Sequence, residues 1–354
     1  MLPSPPPSEI LQAFGVSGTT PEPLGRGRIH QTFRCGPLVL QRLNERVFPE
    51  PERVVANAGR VIQHLTARLA AEGVPEASRR VLRPEPTLGG ARTARDAAGG
   101  LWRATRYQEG MRAPGASLED AEAAARAFGA YLRRLSDLDP SELAVVIPGF
   151  HDTEARRRAF EAAWAADPLG RRGDLAGLAP VLARLAPLAS ALGDPALPRR
   201  LAHDDTKLDN VLLDARTGEG LCVLDLDTTQ PGSWLADFGD LARSACNALG
   251  EDGHLEGGLR PDLERFAALA RGFLPELAPL LTGAERERLP LAPAVIAYEL
   301  GLRFLTDHLE GDRIFAVARP GDNLRRGAVQ LALAEGFRAA EAELRHHVAL
   351  ALQG

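Results

Sequence analysis

The sequence predicts an α+β protein of two lobes: a small N-terminal lobe with an antiparallel sheet and one helix, and a larger, mainly helical C-terminal lobe. Three observations lead to this fold class. Residues 24–43 alternate glycine-containing turns with short apolar runs, which indicates paired strands. From residue 117 onward the chain consists largely of Ala/Leu/Arg-rich stretches with helical periodicity. Only residues 210–225 interrupt those stretches with strand character.

The N-terminal lobe is predicted to comprise residues 1–110, with a connector near residues 107–110. Glycine and proline mark the boundaries of its elements, because both residues interrupt regular structure. The predicted elements are a hairpin over residues 24–43 with Gly36-Pro37 at its turn, a helix from residues 49–52 to residue 73, and strands over residues 80–83 and 101–107 separated by a Gly99-Gly100 turn.

The C-terminal lobe is predicted to comprise residues 111–354. Apolar residues recur there at helical spacing over long stretches. The predicted helices cover residues 118–135, 153–166, 260–274, 292–308 and 323–347.

Composition excludes several classes of protein. The formal net charge of −5 provides no basic surface for nucleic-acid phosphates, so no nucleic-acid partner is expected. The three cysteines are far apart in the sequence, which fits a reducing compartment. No uncharged apolar run reaches the roughly 18 residues of a membrane span, and no secretory signal pattern opens the chain. We therefore expect a cytoplasmic protein with no membrane partner, and we expect a monomer.

The densest group of reactive side chains lies between His203 and Asp225. Residues 203–210 read HDDTKLDN, and two apolar strands follow, the second ending in Asp225. Phosphoryl transfer needs a carboxylate that orients the attacking hydroxyl and accepts its proton, oxygen ligands for magnesium, and a cation near the transferred phosphate. Asp205 can be that base, Lys207 the cation, and Asn210 and Asp225 the metal ligands.

The geometry of a hairpin supports this assignment. Asn210 should begin one strand and Asp225 should end its partner, so both oxygen ligands should emerge at the same end. The alternative is that His203 is a buried core histidine and that the carboxylates are solvated loop charges.

This segment resembles the catalytic loop of the aminoglycoside phosphotransferase and choline kinase superfamily, whose pattern is H-x-D-x-x-x-x-N followed by a strand that ends in I-D. The matching residues are His203, Asp205, Asn210 and Leu224-Asp225, and the resemblance extends over roughly residues 24–335. It implies a bilobal, protein-kinase-like fold. It also implies ATP and Mg²⁺ as cofactors, and transfer of the γ-phosphate to a hydroxyl of a small polar acceptor. Asp237 is expected to tie down the catalytic loop.

Within the superfamily the chain looks most like the N-acetylhexosamine 1-kinase group. That likeness rests on residues 40–44, 147–153 and 225–228, on residues 237–240 with Arg243, and on residues 303–307 with Gly311-Asp312. It implies a sugar or amino-sugar acceptor, first of all the anomeric hydroxyl of an N-acetylhexosamine. The alternatives are another amino sugar, an aminoglycoside or a choline-like alcohol. His30, Asp204 and Asp209 stand where the group usually has asparagine, and these differences bear on the acceptor more than on the reaction.

The nucleotide is expected to contact the N-terminal lobe and the connector. The glycines of a G-x-G turn can cradle phosphates, although an ordinary hairpin turn explains them equally well. The third strand lacks the lysine usual in the superfamily. Either of two adjacent residues can face the nucleotide in its place, because neighbouring strand residues point to opposite faces. The candidate ATP-binding residues are Gly25, Gly27, Gln41, Arg42, Tyr107 and Glu109.

Acceptor recognition calls for a few well-placed charged groups. The candidates are Asp227, Asp240, Arg243, Arg303, Asp307 and Asp312. Asp227 can instead share the metal or cap a turn. Asp240 and Arg243 are three residues apart and can simply pair on one helix face. For each of the others the alternative is a solvated or structural charge.

The sequence leaves two alternatives outside the kinase class. The dipeptides His151-Asp152 and His203-Asp204 are also found in metal-dependent phosphohydrolases of the HD type, which need several histidines around a metal. A non-catalytic pseudokinase is the second alternative. It is disfavoured because the base, the lysine and both metal ligands are all present.

Overall fold

An antiparallel sheet forms the N-terminal region of the protein. The computed structural model describes residues 4–25, 29–250, 252–255 and 257–353. Six strands join in the order β1-β2-β3-β6-β4, with β5 pairing to β6. Their bounds are β1 Glu22–Pro23, β2 Gln31–Cys35, β3 Leu38–Arg42, β4 Pro84–Glu85, β5 Ala94–Arg95 and β6 Leu101–Arg106.

The predicted hairpin is confirmed, with β2 and β3 paired around Gly36 and Pro37. Gly36 has φ +59°, a conformation that glycine adopts without steric cost. The strand predicted over residues 80–83 is wrong, because the strand of that region is β4 at Pro84–Glu85. A short 3₁₀ turn over Ala77–Arg79 precedes residue 80, whose backbone N–H continues the turn by donating to the carbonyl of Ala77.

The two faces of this sheet have different chemistry. Helix α1 (Ser8–Ala13), which sequence reasoning did not predict, lies against the apolar face and completes a small core. That core includes Ile10, Phe14, Phe33, Leu38, Leu40 and Trp102. The intervening residues Thr32, Gln41 and Arg103 are paired in register and share the opposite face.

Helices build most of the rest of the chain. Their bounds are α2 Pro51–Ala71, α3 Leu118–Leu135, α4 Thr153–Ala166, α5 Ala179–Leu185, α6 Trp234–Ala245, α7 Leu263–Leu277, α8 Gly283–Arg288, α9 Ala292–Glu310, α10 Asp322–Ala339 and α11 Glu341–Ala351. One large hydrophobic core joins α2 to the C-terminal helices, and the closest packing is of α3 on α7 and of α9 on α10. None of the described helices combines the length and the apolar character that crossing a membrane requires.

The predicted helices are confirmed, with two corrections to their bounds. Helix α7 begins at Leu263 and not at residue 260, because the Asp262 side chain caps it by accepting the N–H of Arg265. The single helix predicted over residues 323–347 is two helices, α10 and α11, because Ala340 leaves helical geometry between them.

Two small sheets lie within the helical region. Strands β9 (Val211–Asp214) and β10 (Gly220–Val223) form the predicted hairpin, and β7 (Met111–Arg112) adds to its edge. Strands β8 (Arg200–Ala202) and β11 (Gln230–Gly232) pair with each other, and residues 203–229 lie between them in the chain. These two strands were not predicted. The α+β class, with an antiparallel N-terminal sheet and a helical C-terminal region, is confirmed. The division at residue 110 stays a prediction.

Candidate active site

The loop that follows β8 is held in place by Asp237, in the first turn of α6. Asp237 Oδ2 accepts the backbone N–H of His203 at 2.9 Å, and Oδ1 accepts that of Asp204 at 2.7 Å. The Thr206 hydroxyl donates to the Asp237 carbonyl. Helix α6 begins there because the Ser233 side chain caps it. The expected tethering role of Asp237 is confirmed.

His203 is fully buried and joins the loop to the end of the β9–β10 hairpin. Its Nδ1 accepts the backbone N–H of Asp205 at 3.2 Å, so Nε2 carries the proton and donates to the Leu224 carbonyl at 2.9 Å. The rings of Phe128 and Tyr131 pack edge-on against the imidazole. His203 is thus a core histidine, as the alternative held, and its contacts shape the loop.

Asp205, Lys207 and Asn210 lie together on this loop. Asp205 Oδ1 is 2.8 Å from Lys207 Nζ. The Asn210 amide nitrogen donates to the Asp205 carbonyl at 2.8 Å and to Asp205 Oδ2 at 3.2 Å. The amide nitrogen of Asn210 is engaged by Asp205, whereas its oxygen accepts no hydrogen bond from the described residues and can bind a cation.

Asp225 stands beside this group. Leu224 N–H donates to the Asn210 carbonyl at 2.8 Å, so residues 210 and 225 leave the hairpin at the same end, as predicted. Asp225 has φ +54°, which is uncommon for a residue with a side chain. Burial raises the pKa of its carboxyl to about 6, and the nearby charges of Asp227 and Asp205 add to that effect.

The surroundings of Asp225 fit a magnesium ion. Its carboxylate accepts no hydrogen bond from the described part of the chain, and it sits near two further carboxylates. A divalent cation would relieve that repulsion. Mg²⁺ takes oxygen ligands, and the Asn210 amide oxygen and the Asp225 carboxylate are of that kind.

Asp227 is oriented toward the N-terminal sheet. Arg103 of β6 binds its carboxylate with two N–H groups, at 2.6 and 2.9 Å, and His30 Nε2 lies 2.8 Å from Oδ2. Ligand atoms of His30, Asp225 and Asp227 all lie within 4.8 Å of one another. Burial acts to raise the pKa of Asp227, but the charge of Arg103 and the contact with His30 hold it well below its usual range. These contacts do not support the predicted contact of Asp227 with the acceptor.

The sheet distinguishes the two candidate residues of strand β3. Gln41 shares the face of Arg103, whose Nε and second nitrogen donate to its side-chain oxygen at 3.1 and 2.9 Å. Arg42 lies on the opposite face, with Nε 3.3 Å from Asp96 and its guanidinium where a side chain at Gly100 would have to lie. Strand alternation therefore turns Arg42 away from Asp227, and the contact of either residue with the nucleotide stays a prediction.

The other predicted nucleotide contacts lie along the edge of the sheet and in the connector. Gly25 has φ +77°, and Gly27 lies outside the described residues. Arg34 of β2 stacks over the Tyr107 ring at 3.9 Å and pairs with Glu109 at 3.1 Å. The connector is thereby held to the β2–β3 hairpin, and its contact with ATP stays a prediction.

On the other side of the loop, α6 presents an ion pair. Arg243 donates to Asp240 Oδ1 from Nε at 2.8 Å and from a second nitrogen at 2.7 Å, and both residues are buried. Burial acts to raise the pKa of Asp240, but the charges of Arg243, Lys207 and His151 lower it. Lys207 therefore lies close enough for its charge to lower the pKa of Asp240, which means that the Asp240–Arg243 pair adjoins the loop.

Arg303 of α9 lies near the same pair. Its guanidinium carbon is 5.2 Å from the centre of the Phe150 ring and 5.5 Å from that of Phe315, within the range of cation–π contact. Burial lowers the pKa of Arg303, the nearby charge of Asp240 acts to raise it, and that of Arg243 lowers it further. Three predicted acceptor residues, Asp240, Arg243 and Arg303, are thus brought together. Phe150 and Phe315 were missed, because nothing local in the sequence marks them.

Asp307 and Asp312 make structural contacts within the chain, and their contact with the acceptor stays a prediction. The Asp307 carboxylate accepts the backbone N–H groups of residues 313–315 at 2.8–2.9 Å, and it also accepts from Asn323. Asp312 pairs with Arg171 at 2.7 Å and accepts from Asn323 at 2.9 Å. Both carboxylates are occupied in holding the segment between α9 and α10.

Buried polar groups lie beneath the loop. His151 Nδ1 pairs with Glu299 at 2.9 Å, and its Nε2 is 3.3 Å from the Asp204 carbonyl. Asp204 is buried and accepts from the Gln230 amide at 3.1 Å. Both ring nitrogens of His151 and of His203 are therefore engaged by protein groups. This arrangement contradicts the HD-type phosphohydrolase alternative, which requires free histidines around a metal.

Comparisons with known proteins agree with this geometry. Residues 20–269 match the model of the phosphotransferase enzyme family. Among solved structures, an aminoglycoside phosphotransferase from Alicyclobacillus acidocaldarius subsp. acidocaldarius DSM 446 is similar at 16% identity and a TM-score of 0.65, over 99% of this chain and 98% of that one. The microcompartment-associated aminopropanol kinase is similar at 18% identity and a TM-score of 0.61, over 94% and 97%.

A third similar structure is that of an amicoumacin kinase, solved with AMP-PNP and Ca²⁺, at 14% identity and a TM-score of 0.56 over 88% and 87% of the two chains. At such identities the likeness shows a shared fold. The fold and the family match define a small-molecule phosphotransferase that acts on an alcohol group. The chain belongs to the phosphotransferase enzyme family.

Proposed function

We propose that the protein is a kinase that uses ATP and Mg²⁺ to phosphorylate the anomeric hydroxyl of an N-acetylhexosamine. One observation carries the proposal: Asp205 contacts both Lys207 and Asn210, its charge acts on the pKa of Asp225, and the charge of Lys207 acts on the pKa of Asp240 in the Asp240–Arg243 pair. This is the set of groups that phosphoryl transfer to an alcohol requires.

Each group has a distinct task. Asp205 Oδ2 accepts a hydrogen bond from the acceptor hydroxyl, orients it and takes its proton. Lys207, held 2.8 Å from Asp205, places positive charge beside the transferred phosphate. Asn210 and Asp225 would hold magnesium, which neutralises charge on the phosphates when bound. His203 and Asp237 keep the loop in this geometry.

The acceptor side supports a neutral sugar over a polycation. It contains Arg303 between two phenylalanine rings, and the carboxylate of Asp240 is already paired with Arg243. Asp204, which could have made the site more acidic, is buried and turned toward Gln230. Arginine donates well to hydroxyl and acetamido oxygens, whereas an aminoglycoside would meet like charge.

The test is ADP release across a panel of acceptors. N-acetylglucosamine, N-acetylgalactosamine, glucosamine, kanamycin and choline are each supplied with ATP and Mg²⁺, and phosphorus NMR identifies the product. We expect N-acetylhexosamine 1-phosphate, with no turnover when EDTA removes the metal. Turnover on kanamycin or choline alone would overturn the proposed assignment of the acceptor. ATP binding without turnover on any member would favour the pseudokinase alternative.

A further inference from the structure

Arg103 connects the N-terminal sheet to the proposed metal site. It lies on β6 directly opposite Gln41 of β3, and both side chains project from the face that is not covered by α1. Only 12% of the Arg103 side chain and 1% of the Asp227 side chain are exposed. This contact is therefore largely shielded from water, where the charges interact strongly.

The guanidinium of Arg103 is held in one orientation. Two of its nitrogens bind the two oxygens of Asp227, a bidentate geometry that fixes the plane of both groups. Gln41 accepts two further N–H bonds, and its own amide donates to the Thr32 hydroxyl at 3.3 Å. A lysine at position 103 could supply the positive charge but not the paired, coplanar N–H groups of a guanidinium.

His30 contacts the same carboxylate from a second side. Asn44 N–H donates to His30 Nδ1 at 3.1 Å, so Nε2 carries the ring proton, and Nε2 lies 2.8 Å from Asp227 Oδ2. Asp227 is thus contacted by two residues of the N-terminal region, while its own backbone belongs to the tight turn Leu226–Thr228. The turn is anchored further where the Thr228 hydroxyl donates to the His203 carbonyl at 2.7 Å.

The position of this turn determines where Asp225 points. Asp225 lies two residues before Asp227 and accepts no hydrogen bond from the described residues, so no donor orients its carboxylate directly. Its left-handed backbone, at φ +54°, depends on the turn that follows. Buried ion pairs contribute little net stability compared with apolar packing, so the Arg103–Asp227 pair is better explained by the geometry that it fixes.

We propose that Arg103 is a positioning residue: by holding Asp227, it sets the orientation of the Asp225 carboxylate for magnesium. Gln41 orients Arg103 in turn. The inference rests on the proposed function, because it assumes that Asp225 binds the metal of the ATP complex.

The test measures magnesium-dependent binding of a fluorescent ATP analogue, without acceptor. Arg103→Met should raise the Mg²⁺ concentration for half-maximal binding about tenfold or more, the usual cost of losing a residue that orients a metal ligand. Arg103→Lys should recover part of that loss. Arg106→Met is the matched control, because Arg106 lies on the same strand and pairs with Glu85. The control should bind as the unmodified protein does.

A double variant shows whether Arg103 acts through Asp227. If it does, adding Arg103→Met to an Asp227→Asn protein should change the Mg²⁺ concentration for half-maximal binding by less than about twofold. Equal losses in both backgrounds would overturn the inference, as would an unchanged Mg²⁺ requirement in Arg103→Met. Thermal unfolding is followed in parallel. If Arg103→Met does not fold, Arg103→Lys and Asp227→Asn must still shift the Mg²⁺ requirement, and a lack of shift in both is the contrary result.

The same experiment distinguishes a failure of the proposed function from a failure of the positioning role. If the unmodified protein binds no ATP analogue with Mg²⁺, kinase activity itself is excluded. If the unmodified protein binds the analogue normally and the Arg103 variants show no shift in their Mg²⁺ requirement, the positioning role alone is overturned.

Discussion

The Asp205 carboxylate and the Lys207 ammonium lie 2.8 Å apart, from Oδ1 to Nζ. This contact occupies one oxygen of Asp205. Within the described part of the chain, Oδ2 accepts a single hydrogen bond, a longer one of 3.2 Å from the Asn210 amide. One carboxylate oxygen is therefore available to an incoming hydroxyl next to a fixed positive charge.

Replacing Asp205 by asparagine should lower kcat by a factor of about a hundred or more, because the proton acceptor and the orientation of the hydroxyl are lost together. ADP release measures the loss, and circular dichroism checks the fold. Asp209→Asn is the control, since Asp209 is exposed on the same loop. An Asp205→Asn protein with nearly normal kcat would refute the assignment of the base.

Asp237→Ala should destabilise the fold, because it leaves two buried backbone N–H groups, those of residues 203 and 204, without an acceptor. Each such group costs about 1–3 kcal/mol. Urea denaturation gives the free energy of unfolding. Asp262→Ala removes a helix cap from α7 and should cost only about 1 kcal/mol. Equal losses in the two variants would argue against a special tethering role for Asp237.

Asp204→Asn should make the protein more stable near neutral pH. Burial raises the pKa of Asp204 to about 7, from 3.8 when unfolded, and the charges of Asp237 and Glu299 add to it despite His151. Between pH 3.8 and about pH 7 the folded state binds the Asp204 proton more tightly than the unfolded state does. The free energy of unfolding therefore falls as pH rises through that range. Asparagine cannot ionise, and it tolerates the left-handed backbone at φ +62°.

The measurement is the free energy of unfolding of both proteins from pH 4 to pH 8. The gain in the Asp204→Asn variant should increase up to about pH 7 and then level off. Carboxylates that do not interact with Asp204 titrate in both proteins and cancel in the difference, whereas Asp237 and Glu299 belong to the same interacting group and contribute to the measured gain. A gain that does not change with pH would show that Asp204 ionises alike in the folded and unfolded chains. Asp209→Asn again serves as the exposed control.

Arg303→Met should weaken acceptor binding and leave ATP binding unchanged. A lost hydrogen bond from a charged donor costs about 1.5–3 kcal/mol, or roughly a tenfold or larger rise in KM for the acceptor. Steady-state kinetics with each substrate varied separately measures both constants. Arg158→Met is a suitable control, because that side chain is 60% exposed on α4. A rise in KM for ATP instead would place Arg303 on the nucleotide side.

Much of the local structure could be predicted from the sequence. The β9–β10 hairpin with Asn210 and Asp225 at one end follows from neighbouring residues, as do helices α3 and α4. Their patterns of apolar residues and caps are local, and a local pattern specifies a local conformation. The α7 start and the α10–α11 break were mispredicted because element ends depend on single capping contacts.

The sequence by itself determined the class of fold and the order in which the candidate side chains of residues 203–225 follow one another. Only the tertiary structure decided which charges meet: Arg103 with Asp227, Arg42 with Asp96, and Asp307 with the backbone of residues 313–315. Arg103 and Asp227 are 124 positions apart, and the packing of the sheet on the turn brings them together. A charged residue looks the same in sequence whether it binds a ligand or a distant part of its own chain, so its role depends on long-range packing.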